Sequence, residues 1–408
     1  MRVSIAEQFK HSAFATEAAK IVRSCVHCGF CNATCPTYQL TGDELEGPRG
    51  RIYLIKSMLE DGNIGETTQR HLDQCLVCRN CETTCPSGVE YGRLLEVVRP
   101  QVQKMVRLPV LARIQRWLIT RVVAYPSRLA PFVALGRALR PLMPAALKRL
   151  VPVKQRIPQR RLERHPRRIL LLGGCAQAVM NPAIDEAARA VFDALGISLE
   201  HCPGVDCCGA LHYHLGYEHE ALSMAKANVD RWWPEVEKGA EAILATSSGC
   251  GLQLKDYARM LAGEPGYAER AQKIQDLVKD PVEIVEAGAL SGLIRPGRNT
   301  IAFHAPCTLQ HGQRLAGKIE SLLEELGWTL SAVADPHLCC GSAGSYSLLH
   351  PKTAGALRSD KLKKLLEGGP QEIVTANIGC QLHLGAAAPV KVRHWLELLA
   401  EHLETESP

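Results

Sequence analysis

Between Val97 and Leu162 the chain has no aspartate and no glutamate, yet it places fifteen lysines and arginines there. The whole chain carries +6, so the remainder sums to −9, and the molecule reads as an acidic body with one basic arm. Other absences narrow the function. No apolar run approaches the ~18 residues that span a bilayer. Met1 to Lys20 lacks the apolar stretch of a secretory signal, so none is expected. No Gly-x-Gly-x-x-Gly joins a strand to a helix and no nucleotide P-loop is present; Gly173-Gly174 before Cys175 is neither. No Ser–His–Asp set or carboxylate pair stands out. Removing hydride from a substrate needs a flavin or a nicotinamide, and no pattern here offers either a seat, so no catalytic residue and no such binding site is assigned. The arm interleaves arginine with long aliphatic side chains and shows no nucleic-acid module, so no nucleic acid is expected as partner.

What the chain does have is cysteine: seventeen in 408 residues, sixteen of them in repeated patterns. Clustered thiols at ligand spacing point to a reducing compartment and metal ligation. Cys25-Val26-His27-Cys28-Gly29-Phe30-Cys31-Asn32-Ala33-Thr34-Cys35-Pro36 recurs as Cys75-Leu76-Val77-Cys78-Arg79-Asn80-Cys81-Glu82-Thr83-Thr84-Cys85-Pro86. Each run has the spacing of bacterial two-cluster ferredoxins, where three cysteines hold one [4Fe–4S] cluster and the fourth ligates the other. One cluster is therefore assigned to Cys25, Cys28, Cys31 and Cys85, the other to Cys75, Cys78, Cys81 and Cys35. A zinc site does not need two such runs, each ending in proline. Arg49 and Arg51, at the start of a helix expected from Pro48, either tune the clusters, receive an acidic partner, or are simply solvated.

The expected fold is multidomain α+β. A helical two-cluster module fills residues 1–99, and a proline-rich basic arm of short amphipathic helices fills 100–165. Two repeated α/β domains with parallel strands fill 166–290 and 291–408. The repeat is visible in the spacing. Cys175 to Cys207 is 32 positions, as is Cys307 to Cys339; Cys208 to Cys250 is 42, and Cys340 to Cys380 is 40. Each half alternates strand and helix signals, with strands expected at 168–175, 242–250 and 372–380 and helices at 88–98 and 312–326. Each places its cysteines where an open α/β sheet holds ligands. Cys202 is left over and reads as a small buried hydrophobe.

The pattern Cys175, Cys207-Cys208-Gly209, Cys250 and its copy Cys307, Cys339-Cys340-Gly341, Cys380 resemble the cysteine-rich (Cys-Cys-Gly) domain of heterodisulfide reductase and of several dehydrogenase subunits. In the reductase form five cysteines hold an unusual cluster. Here Gln253 and His383 stand where the fifth is expected. Four thiols per half suffice for a further [4Fe–4S] cluster, with His383 as an added donor in one reading; packing and docking are the other. His212, His214, His304, His311 and His337 near these sites are either proton relays or structural.

A ferredoxin module joined to two Cys-Cys-Gly domains resembles the iron–sulfur subunits of glycolate oxidase. Gly42 to Lys56 and Val374 to Gln381 carry the likeness beyond the cysteines. The third subunit of anaerobic glycerol-3-phosphate dehydrogenase is similar in plan, and a disulfide or quinone reductase acting at the Cys-Cys-Gly sites is a further alternative. The resemblance implies an FAD-binding partner that oxidises glycolate, single-electron transfer through the clusters, and a quinone or other acceptor. A cytoplasmic location, peripheral on the inner membrane, is expected with it; the arm's own basic amphipathic pieces suit an anionic lipid surface or a partner subunit, or simply connect the domains.

Overall fold

The computed structural model describes residues 1–144, 148, 151, 153, 162–205, 207–295 and 297–404. Arg149, Lys154, Arg156, Arg160 and Arg161 of the basic arm lie outside the described residues. The N-terminal module is helical. Helices Ala13–Ser24, Pro48–Asp61 and Tyr91–Met105 turn their apolar stripes onto one core of Ala18, Val22, Ile55, Leu59, Leu94 and Val98. Pro48 stands at the first turn of its helix, where its missing N–H costs nothing. Gly62 ends that helix at φ 71°, a conformation that favours glycine. The last of the three helices starts at Tyr91, within the stretch 88–98 expected to begin it. It runs through Pro100 to Met105 because Val102 continues the buried stripe, and packing outweighs the break.

The arm forms helices Val110–Val122 and Pro126–Leu139, bent by 100° to each other. Among the described residues no single helix is long and apolar enough to cross a membrane.

Each α/β half contains a four-stranded parallel sheet. In the first, β1 (Arg167–Leu171), β2 (Ile197–His201), β3 (Ala242–Leu244) and β4 (Val278–Lys279) lie in the order β2-β1-β3-β4. In the second, β5 (Thr300–His304), β6 (Thr329–Leu330), β7 (Glu372–Thr375) and β8 (Lys391–His394) lie as β6-β5-β7-β8. The registers correspond: Leu171 pairs with Leu244, and Phe303 with Val374. The two sheets share one core, in which Ile169, Leu171 and Phe192 meet Ile301, Phe303, Trp395 and Leu399. Each large side chain there contributes about 1.5–3 kcal/mol by leaving water. The central strands β1, β3, β5 and β7 are largely buried on both faces and so read as apolar runs.

The strand expected to carry Cys250 ends at Leu244, and Cys250 sits inside the helix Ser248–Leu254. Cys380 likewise lies in the helix Ile378–Gly385, where the Asn377 side chain accepts from the amides of Gly379 and Cys380 and starts the helix before the thiol. The helix expected over 312–326 is confined to Lys318–Glu325, after a single wide turn at Thr308–Gly312.

Candidate metal centres

Both ferredoxin-type runs fold alike. His27 and Val77 adopt positive φ (61° and 53°), and so do Gly29 and Arg79 (89° and 59°). Positive φ is strained for a β-branched valine, and strain of this kind gathers at functional loops. Its effect is visible here: the amides of His27 and Val77 turn inward and donate to Cys25 Sγ and Cys75 Sγ, each at 3.4 Å. The third cysteine of each run then sits in a short helix, Phe30–Ala33 or Asn80–Thr84.

Two cavities result. Cys25, Cys28, Cys31 and Cys85 line one, together with Cys81 from its wall. Cys35, Cys75, Cys78 and Cys81 line the other. Burial, Cys25, Cys85 and Cys28 push Cys31 up to about 11. Burial, then Cys78, Cys75, Glu82 and Cys35, push Cys81 up as well. Thiols crowded in this way resist ionising together unless a cation shares the site, so the donor set fits a metal cluster that binds thiolates.

Arg51 is not solvated. It is fully buried and donates to the His71 carbonyl (2.7 Å), Thr37 Oγ1 (3.2 Å) and Glu46 (2.6 Å). Burial opposes its charge, but Cys75, Tyr91, Cys35 and Glu46 hold its pKa above the ordinary value. A buried cation therefore stands beside the second thiol set. Arg49 is paired instead with Glu44 at 2.5 Å.

In the first α/β half the four thiols converge. Cys175 contacts Cys207, and Cys208 contacts both Cys207 and Cys250. Asn228 Nδ2 donates to the Cys207 carbonyl (2.8 Å) and to Tyr257 Oη (2.9 Å), and Tyr257 donates to the Cys208 carbonyl (3.0 Å). The second half repeats the arrangement. Cys307 Sγ lies 3.9 Å from Cys339 Sγ, and Cys340 contacts Cys339 and Cys380. The glycine after each pair turns its amide to the first thiol, Gly209 to Cys207 and Gly341 to Cys339, at 3.4 Å. A side chain at Gly341 would stand 2.7 Å from the Ala354 carbonyl, so only glycine lets the loop approach its helix.

The histidines divide. His311 bonds Thr83 Oγ1 (2.9 Å) and the His337 carbonyl (3.0 Å). His383 bonds the Ala354 carbonyl (3.1 Å) rather than facing the thiols. Burial pulls His214 down to about 4 beside Arg99 and Arg79. His212 packs edge-on against Tyr125 and Tyr217. His304 alone of these belongs to a group with Cys340 and Cys380 whose ligand atoms lie within 4.8 Å of one another. Sequence spacing gave no sign of this, because the three residues come from three different elements. Cys202 is buried in the first half's apolar core.

The halves meet the helical module differently. Arg79 donates to Glu96 and to Asp256 of the first half, both at 3.0 Å, and Arg259 reaches Glu96 at 2.8 Å. The second half meets the loop of the second thiol set directly: Cys78 packs with Leu76, Cys339, Tyr346, Ala354 and Leu357. Asn80 Nδ2 donates to the carbonyls of Thr34 (2.9 Å) and His337 (3.1 Å).

Residues 21–89 match the model of the 4Fe-4S dicluster domain, and residues 169–255 and 301–385 match that of the cysteine-rich domain. A glycolate oxidase iron-sulfur subunit from Escherichia coli is 48% identical over the whole of both chains. The chain belongs to the family of glycolate oxidase iron–sulfur subunits. Within that family, a probable member from Bacillus subtilis is 28% identical over 93% of each chain. A lactate utilization protein A from Exiguobacterium is 26% identical over 57% of this chain and 97% of its own. The fold is shared with a hypothetical protein from Helicobacter pylori, at TM-score 0.56 and 9% identity over 98% of this chain and 74% of that one. Like the family, the chain is an iron–sulfur protein with a dicluster module and two cysteine-rich domains.

Proposed function

We propose that this chain carries single electrons away from an FAD-binding partner that oxidises glycolate, and delivers them to a quinone or similar acceptor. One [4Fe–4S] cluster would be held by Cys25, Cys28, Cys31 and Cys85, and the other by Cys75, Cys78, Cys81 and Cys35. The observation that carries this reading is the exchange of the fourth cysteine: Cys85 lines the cavity of the first run's three thiols, where Cys81 also reaches the wall, and Cys35 lines the cavity of the second run's three. Two sites that trade a ligand are held at a fixed, short separation, which suits successive one-electron transfers. Clusters bound there supply reversible one-electron reduction with no proton or bond exchanged. The chain's own residues set the conditions. The amides of His27 and Val77 donate to the sulfurs, and the Arg51 guanidinium offsets negative charge beside Cys75 and Cys35.

The arm supports a peripheral seat on the cytoplasmic face of the inner membrane. Two of its arginines turn inward: Arg116 pairs with Asp73 at 2.7 Å, and Arg137 donates to the carbonyls of Val179 and Met180. Its apolar side chains turn outward, with Leu111, Trp117, Leu118, Phe132 and Leu135 exposed together with Arg113 and Arg128. Exposed apolar residues with basic neighbours suit an anionic lipid surface.

The test is Cys81→Ser in the assembled complex. It is expected to lose one ferredoxin-type electron paramagnetic resonance signal and the acceptor-linked oxidation of glycolate, while glycolate still bleaches the partner's flavin. Unreduced flavin in that variant would overturn a purely downstream role.

A further inference from the structure

The two α/β halves agree in backbone and in thiols but differ at two buried positions beside them. His304 ends β5, three residues before Cys307, and Leu172 stands three residues before Cys175. Strand register confirms the match, since Leu171 faces Leu244 just as Phe303 faces Val374. His304 is 1% exposed, and neither ring nitrogen has a partner. A ligand atom of His304, Cys340 Sγ and Cys380 Sγ all lie within 4.8 Å of one another. A buried imidazole without hydrogen bonds, facing two thiols, is a donor held ready for a metal.

The second difference lies on the helix behind the Cys-Cys-Gly loop. Gly209 abuts Ala221 and Gly341 abuts Ala354; seven residues past each come Asn228 and Lys361. Both are buried. Asn228 bonds the Cys207 carbonyl, whereas the Lys361 ammonium donates to the carbonyls of Asp335 (3.0 Å) and Pro336 (3.2 Å), with Cys340 and Cys339 as its nearest thiol neighbours. The second half therefore gains a neutral donor and a cation where the first has leucine and asparagine.

We propose that the second half holds an iron–sulfur cluster on Cys307, Cys339, Cys340 and Cys380 with His304 as a nitrogen ligand, and that electrons leaving the two-cluster module collect there. A neutral imidazole, unlike a further thiolate, brings no negative charge to the centre, and an ammonium nearby offsets the charge of the thiolates and raises its reduction potential. The same half touches the module at Cys78, whose thiol has Cys307 among its neighbours. Higher potential and direct contact coincide on one side of the molecule. The inference rests on the electron-transfer reading above, and adds where the electron goes. One electron passes at a time from the module, supplied by the partner's flavin, and is given up to the acceptor.

The test uses the full chain purified without oxygen, with iron, sulfide and zinc analysed and a redox titration followed by electron paramagnetic resonance. His304→Leu copies the first half, so the site already has a precedent for leucine. It is expected to remove or reshape one signal that Cys81→Ser leaves intact, with iron lost from that centre alone. His304→Cys is expected to keep the iron and shift the same signal to lower potential. Lys361→Asn is expected to shift it in the same direction without losing iron. If His304→Leu loses every signal through misfolding, His304→Cys and Lys361→Asn decide the matter. Wild-type iron, spectra and potentials in all three variants would overturn the proposal. So would a zinc ion, not iron, that departs with His304. Failure of the broader reading is separate, because it appears as an unchanged Cys81→Ser.

Discussion

The two halves of the repeat carry the same thiols on the same loops, yet they face the helical module in opposite ways. The first half is joined by charge: Arg79, Glu96, Asp256 and Arg259 form a partly buried ionic set. The second is joined by thiols and apolar side chains around Cys78 and Cys339. Ionic docking positions a domain; a shared apolar cluster also brings the thiols of the two sets near one another. The difference teaches that one backbone with one set of thiols can be repeated while its contacts with the module change. The copy with His304 and Lys361 is the one whose thiols share an apolar cluster with Cys78 of the cluster loop.

The largest effect that sharpens this comparison comes from matched serine substitutions. Cys339→Ser is expected to abolish glycolate-dependent reduction of the acceptor in the complex while the two ferredoxin-type signals still reduce. Cys207→Ser, its counterpart, is expected to leave most of that activity. Steady-state assays with glycolate and an artificial quinone, beside spectra of the reduced chain, compare them directly. Equal losses would mean that both halves lie on the electron path, and a loss confined to Cys207→Ser would reverse the assignment.

The general plan was legible because cysteine ligand sets are local. Three of four thiols in each ferredoxin-type run lie within seven residues, so spacing alone brings them to one loop. The parallel halves were legible because strands buried on both faces read as apolar runs, and because the repeat keeps its 32-residue interval. The positions of Cys250 and Cys380 inside helices were not, since a short apolar run does not reveal where a strand stops. Arg51 was left open between solvent and cluster because burial of an arginine depends on Glu46, Thr37 and His71 arriving from other elements. His304 was one of five histidines with nothing to choose among them. Its partners lie 36 and 76 residues downstream, and only the sheet brings them together. His383 looked better placed by spacing and is turned to a carbonyl instead.

A smaller effect separates the halves by pH. Asp280 follows β4 and His394 ends β8; each starts a capping box, with Glu283 and Glu397 three residues on. Both are buried. Burial pushes Asp280 up to about 7 and His394 down to about 3. The folded pKa of His394 lies below its unfolded value near 6.5, so its contribution to stability is complete above ~6.5 and is lost as pH falls toward 3. The folded pKa of Asp280 lies above its unfolded value near 3.9, so its contribution is complete below ~3.9 and is lost as pH rises toward 7. Between pH 7 and pH 5 the histidine then costs about 2 kcal/mol and the aspartate returns about as much. The wild-type chain hides both. His394→Asn is expected to become more stable on acidification and Asp280→Asn less stable, each relative to wild type at the same cluster loading, measured by chemical denaturation at the two pH values. Parallel behaviour of all three chains would mean that these two caps titrate as they do in the unfolded chain, and that the halves differ at their metal centres without differing in how acid loosens them.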